Sequence, residues 1–522
     1  MTLILAITGM AVSIMQTLVI PILPSLPTIL HTHPANSTWV LTVTLLVGAV
    51  FTPISGRLGD MFGKRLMLVV SMGFLLVGSV VSAAGGSLAT MVVGRAMQGM
   101  SIGSVALGIS LMRDTLPRER LASAVALMSA TMGIGGAIGL PLSAVVAEKL
   151  SWHYLFWGST VIGALAMVGI ARTIPESKIK TGGRFDIVGA AGLSIALVSL
   201  LFGLSKSTDW GWGDPKQLML FAVAFVVFAL WARYEMHAKN PLVNIQTSIR
   251  KVVLFTNLAS ILVGFAMYTL NLVMTQLLQA PDGSGLGFGQ SMIVAGLCSA
   301  PMGIAMMLVS PLAARIITRF GPRFALRLGP VIIAIGFLYA AFFLESVWEA
   351  LIVAAFTGIG IAVAYAAMPT IIMRSVPTTE TAAANSVNTL SRSLGTSLAA
   401  AVHGAIIASA LAGLTEHPEA VHHGSFTAFD LCFVLGAISC VLAVAIASLI
   451  PRPKEPGVLV VEPDLPADAG DVDTADLLGT HGSPDSGETE VKREGVLVRA
   501  GRRRRTARRR PAARPRIGAD RR

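Results

Sequence analysis

Long apolar runs separated by short polar breaks make up most of this chain. Six of them cover about Leu3–Leu23, Trp39–Ser55, Leu66–Ala84, Leu88–Met112, Leu121–Ala147 and Tyr154–Ala171. Two follow at about Ile187–Leu204 and Leu218–Ala232. The last six cover about Val253–Leu278, Ser291–Ile317, Ala325–Leu344, Trp348–Ile372, Ala382–Leu411 and Phe429–Ile450. About 20 residues at a 1.5 Å rise span the roughly 30 Å hydrocarbon core of a bilayer, so each run is expected to be a membrane-crossing helix. The pattern predicts an all-α polytopic membrane protein with fourteen transmembrane helices.

Charge orders these helices. The breaks after the even-numbered runs hold Arg57, Lys64 and Arg65; Arg113, Arg118 and Arg120; Arg172, Lys178, Lys180 and Arg184; Arg233, Lys239, Arg250 and Lys251; Arg315, Arg319, Arg323 and Arg327; and Arg374. The breaks after the odd-numbered runs carry His31, His33, Asp282, Glu345, Glu349, Glu416 and Glu419, with few cations (Lys149, Lys206, Lys216). The positive-inside rule puts the basic side in the cytoplasm, and an even helix count puts both termini there. A repeat divides the chain: Arg57-Leu-Gly-Asp-Met-Phe-Gly-Lys-Arg65 aligns with Arg315-Ile-Ile-Thr-Arg-Phe-Gly-Pro-Arg323, with Thr318 opposite Asp60. The expected units are a six-helix bundle at 1–175, two linking helices at 176–250, a second six-helix bundle at 251–450 and a tail at 451–522. The tail is acidic, then Arg-rich, without apolar periodicity, and is expected to be a disordered cytoplasmic segment.

Composition narrows the function classes. With 54% hydrophobic and 13% charged residues and a mean hydropathy of +0.72, the chain is not an ordinary soluble protein. The net charge of +12 sits largely in the tail and in one set of loops, so it points to membrane lipids and not to a specific nucleic-acid partner. Cys298, Cys432 and Cys440 all lie in apolar runs, without disulfide or metal-site spacing. No phosphate loop and no HExxH motif is present, so neither an enzyme nor an ATP-driven pump is expected, and no cofactor or metal is called for.

Between the second and third runs, Gly56, Arg57, Asp60, Gly63, Lys64 and Arg65 form a short glycine-rich basic loop of about ten residues with a single acid. This loop resembles the signature of the major facilitator superfamily, which implies a secondary transporter alternating between inward-open and outward-open states, with this loop as its gating element. The two extra helices, Asp186 before the first, Trp210-Gly-Trp212 after it, and Glu235 to Pro241-Leu242-Val243 after the second, resemble the fourteen-helix drug:proton antiporter branch. The resemblance covers about residues 1–451. It implies a plasma-membrane exporter of small hydrophobic or amphipathic compounds, coupled to protons and acting as a monomer.

Further motifs carry over residue by residue. Arg95, Gln98 and Gly99 in the fourth run resemble the superfamily's arginine motif, which implies proton transfer or substrate binding; the alternative is a structural arginine bonded to loop carbonyls. Gly135, Gly139 and Pro141 in the fifth run resemble part of the antiporter motif, and i, i+4 glycines equally suit a packing seam. The first run departs from the family pattern, with Met15 where an acid is usual. No Asp or Glu falls in mid-membrane, since Asp60, Asp114 and Glu235 are placed in cytoplasmic loops and Asp186 and Asp430 at helix ends. The candidate proton sites are therefore Asp60, His403 and Asp430, with His403 equally readable as a packed polar residue. A central path is expected to be lined by Gln16, Arg95, Gln98, Gly99, Tyr268, Asn271, Gln276, Asn385, Asn388 and Arg392, beside adaptable methionines such as Met132 and Met267. Two other functions stay open: an uncoupled facilitator, and a transporter-like membrane sensor or scaffold.

Overall fold

The structure, a computed structural model, describes residues 1–20, 22, 26–32, 39–280, 287–416 and 427–451. The tail and the loop residues His33, Asp282 and Glu419 lie outside the described residues. Among those described, all regular structure is helical. The long helices are α1 (Thr2–Thr17), α2 (Trp39–Phe62), α3 (Lys64–Ala84), α4 (Leu88–Thr115), α5 (Arg118–Lys149), α6 (His153–Thr173), α7 (Ile187–Trp210) and α8 (Pro215–Glu235). They continue as α9 (Lys251–Gln279), α10 (Met292–Phe320), α11 (Pro322–Phe343), α12 (Val347–Ser375), α13 (Thr381–Glu416) and α14 (Ala428–Ser448).

Twelve of these are long and apolar enough to cross a membrane. The other two are α1, with 16 residues, and the more polar α13, with 36. The first apolar run was expected to be helical to Leu23; the helix ends at Thr17. In the sequence, the residue four places on is Pro21, which has no N–H to give to the Thr17 carbonyl. The outward faces are apolar, as lipid requires: Leu165 is 67%, Phe225 77% and Leu308 68% exposed.

One apolar core, including Leu5, Met72, Leu75 and Leu107, joins helices of the first half. A second, including Val263, Phe337, Ile361 and Phe433, joins those of the second half. The internal repeat is visible in the backbone. Gly63 and Gly321, aligned in the two copies, both take positive φ (130° and 86°) at the junction of two helices. A side chain disfavours that region, so glycine lets each chain reverse in a single residue.

This corrects one expectation: Gly56–Arg65 is not a ten-residue loop. Helix α2 runs through Phe62 and α3 begins at Lys64, leaving Gly63 alone as the link. Asp60, Asp114 and Glu235 likewise belong to the last turns of α2, α4 and α8, not to loops. Asp60 and Asp114 are held there by tertiary partners, so α2 and α4 extend past the apolar windows. Helix α4 is also interrupted. Ser101, Ile102 and Ser104 donate to carbonyls three residues back, at 3.0–3.1 Å, which tightens the turn just after Gly99.

The halves meet along α5 and α10 and along α2 and α13. At the first seam Gly303 packs on Gly133, where an added Cβ would lie 2.9 Å from the Gly133 carbonyl carbon. Helix α7 lies beside the second seam, its Leu193, Leu197 and Leu201 sharing an apolar cluster with Ala49 of α2 and with Leu390 and Ala401 of α13. Overpacking a tight contact costs about 1–3 kcal/mol. Gly303→Val should therefore lower the melting temperature of the detergent-solubilised protein, while Gly136→Ala, which has open space around its Cα, should leave it unchanged. Equal melting of both variants would contradict this packing.

Candidate functional site

Asp60 is an acid at the end of an apolar helix and is buried, so it needs partners. It finds them on the other half. Its Oδ1 accepts from the Ala382 N–H at 3.2 Å and its Oδ2 from the Ala383 N–H at 2.9 Å. These amides belong to the first turn of α13, where backbone donors lack intrahelical acceptors and the helix dipole favours an anion. Close approach is possible because Gly56 and Gly59 face Ser386 and Ala382; an added Cβ on Gly56 would come 2.7 Å from the Ser386 Cβ.

Lys64, which composition alone assigns to a solvated basic loop, is fully buried behind this contact. Its Nζ lies 2.5 Å from Asp114 Oδ2 and 3.5 Å from Asp60 Oδ1. Ser177 Oγ also donates to Asp114 Oδ2 at 2.6 Å. Half-buried Arg113 reaches across to the second half, donating to Thr381 Oγ1 at 2.6 Å and to the Val376 carbonyl at 3.1 Å. Glu176 takes the amides of Arg65 and Leu66 at 3.1 and 3.2 Å, and so caps α3. The Arg65 guanidinium bonds the Ala171 carbonyl. Arg57 stands apart from this lock, lining a cleft of about 250 Å³ with Lys239, Asn244 and Glu380.

Deeper in the first half, buried Arg95 donates to the Met15 carbonyl at 2.9 Å, the Val40 carbonyl at 3.3 Å and Gln98 Oε1 at 2.8 Å. Gln98 in turn donates to Ser79 Oγ at 2.7 Å. The guanidinium thus ties α4 to α1 and α2, and Gly99 lets α4 approach the Thr44 carbonyl. In the second half, Arg392 lies 4.9 Å from the Tyr365 ring and bonds Asn388 and Thr389. Asn385 Nδ2 donates to Ser110 Oγ of the first half at 3.2 Å.

The other candidates are more scattered. Gln16 is half-buried and Gln276 exposed. Tyr268 and Asn271 sit where α9 contains a π-helical turn, Leu270–Met274, and the Asn271 amide bonds the carbonyl of Met267 on its own helix. Gly135 and Gly139 face Ser13 and Thr17 of α1, and Pro141 lies opposite Gly296 of α10, which is packing geometry. Asp430 caps α14, accepting from the Thr427 N–H at 2.7 Å and hydroxyl at 2.8 Å. His403 is fully buried, with Nε2 2.8 Å from Thr269 Oγ1 and its ring beside Phe265. The motif reading missed Asp114, Glu176, Ser177 and Thr381. The usable signal was acid placed among clustered cations, which must be paired.

Two charge-assisted bonds, each worth about 1.5–3 kcal/mol, hold Asp60 to α13. Asp60→Asn should loosen this contact. In a Ser386→Cys background, N-ethylmaleimide should modify position 386 at least about tenfold faster when Asp60 is replaced. Equal rates would contradict a role in holding the halves together.

The sequence matches the Major Facilitator Superfamily over residues 5–237 and 256–507. It is 28% identical over 415 residues to the tetracenomycin C resistance and export protein of Streptomyces glaucescens, covering 77% of this chain and 75% of that one. It is 25% identical over 385 residues to the multidrug resistance protein Stp of Mycobacterium tuberculosis, covering 72% and 70%. Among solved structures, the human organic anion transporter MFSD10 (TETRAN) superposes with a TM-score of 0.60 at 15% identity, covering 85% of this chain and 98% of that chain. The proton:xylose symporter XylE superposes with a TM-score of 0.59 at 14% identity, covering 86% and 95%. These relatives and neighbours are transporters, not enzymes, and the chain belongs to the Major Facilitator Superfamily.

Proposed function

We propose that this protein is a secondary transporter that exports hydrophobic small molecules across the plasma membrane by alternating access of two six-helix bundles. The observation that carries this reading is Asp60, an acid of the first half bonded to the start of α13 in the second. A contact of this kind can form and break as a unit, which a two-state gate requires. The relatives named as resistance, export and multidrug proteins support efflux as the direction and drugs as the substrate class. In this reading α1 and α13 also cross the bilayer, giving fourteen helices in a 6 + 2 + 6 order. The Asp60 side and both termini then face the cytoplasm, in line with the basic loops.

Proton coupling belongs to the same proposal. Of the three acid–base candidates, Asp430 is used as a helix cap and His403 is enclosed by Phe265 and Thr269. Asp60 alone among them bonds both halves, so its protonation would release charge-assisted bonds at the gate.

Two measurements test this. In an efflux-deficient host, expression should lower accumulation of lipophilic drugs. Arg95→Ala, which unties α4 from α1 and α2, should insert normally and abolish that effect; unchanged accumulation with a surface-expressed wild-type protein rejects export. In everted vesicles, adding a transported drug should move protons in the opposite direction, and Asp60→Asn should uncouple this. Drug movement without proton movement supports the facilitator instead.

A further inference from the structure

The described membrane region holds two buried arginines, Arg95 and Arg392, and neither has a carboxylate within ion-pair distance. Their surroundings differ. Arg95 is committed to carbonyls of two neighbouring helices. Among the described residues, Arg392 hydrogen-bonds only side chains of its own helix, Asn388 Oδ1 and Thr389 Oγ1, both at 3.1 Å. A guanidinium has five N–H donors, so several remain uncommitted.

Three observations place this group where a transported molecule would pass. Arg392 lies eleven residues into α13, about 16 Å along its axis, which in the proposed fourteen-helix arrangement is near the middle of a bilayer of about 30 Å. Tyr365, whose ring lies 4.9 Å from the guanidinium, accepts from Ser129 Oγ of the opposite half through its carbonyl at 3.2 Å. Asn388 is itself held by Asn257 Oδ1 at 2.9 Å and Ser260 Oγ at 2.7 Å of α9. The guanidinium therefore stands on a braced platform at the meeting of the bundles. Met267, beside the Tyr365 hydroxyl, gives an apolar, adaptable surface there, and Met132, three residues after Ser129 on α5, packs against the cores of both halves.

A cation held in an apolar region without a counter-ion is unfavourable, and an incoming anion relieves that cost. We propose that Arg392 is the binding site for the carboxylate of an amphipathic aromatic anion, taken up between Arg392, Tyr365 and Met267 when the halves part. Guanidinium suits this partner, since its planar fork meets a carboxylate through two parallel bonds. The proposal deepens the export reading and rests on it for access to the site.

The test uses the full-length protein in lipid nanodiscs and proteoliposomes, with 2-naphthoate, its methyl ester and 2-naphthylmethylammonium as probes. Calorimetric binding by the wild type should favour 2-naphthoate over the ester by about ten- to a hundredfold, the worth of a charge-assisted contact. Arg392→Gln should erase that preference, and Arg392→Lys, which keeps a point charge, should retain part of it, with melting temperatures confirming that both variants fold. Equal binding of acid and ester, no binding of the acid, or a preference that survives Arg392→Gln overturns the proposal. Counterflow in proteoliposomes separates the two readings. Carboxylate binding without movement of any probe rejects export and leaves the site standing, whereas movement of the ester and amine but not the acid rejects the site and leaves export standing.

Discussion

The structure depends on an acid meeting the open end of a helix across the boundary between its two halves. The first amides of α13 have no acceptors within their own helix, and the buried carboxylate of Asp60 supplies them. Neither partner is comfortable alone in a dry environment. Lys64 stands behind Asp60 and is shared with Asp114, so the charges at this end are paired within the first half and only the α13 amides come from the second. Arg113 adds bonds to Val376 and Thr381 from the same direction. Such a cluster favours discrete states over gradual deformation, because partial separation leaves several buried groups unsatisfied.

Elsewhere the polar residues follow a different economy. Thr8, Thr44, Thr52, Thr357 and Thr370 return their hydroxyl protons to carbonyls of the preceding turn. This lets them sit in apolar helices without outside partners. The few hydroxyls and amides that reach another helix are therefore informative. Ser129 to Tyr365 and Ser110 with Asn385 both join the two halves, and Asn388 with Asn257 and Ser260 braces the second half internally.

Much of this was legible in the residues themselves. Helix positions followed from apolar length, and the repeat aligned Gly63 with Gly321, although the one-residue turn at positive φ that both make was read as a longer loop. Asp60, Lys64 and Arg95 stood out because charge in such a sequence needs an explanation. The partners did not stand out. Ala382 and Ala383 act through backbone amides, which no residue type announces, and they lie more than three hundred positions from Asp60. Lys64 read as a solvated loop cation because alternating charge describes sides of a membrane, not burial. The break after Gly99 escaped because its residues are apolar or small, and only tertiary approach to Thr44 separates that stretch from continuous helix.

The position of α7 makes the two flanks of the molecule unequal. Its leucines cover the line where α2 meets α13, whereas the opposite line, between α5 and α10, turns Ile138, Leu142, Leu297 and Ile304 outward. A compound dissolved in the acyl chains thus meets a bare boundary between the bundles on one flank and a sheathed one on the other. The α5–α10 line is in direct contact with the acyl chains, while α7 keeps them off the α2–α13 line.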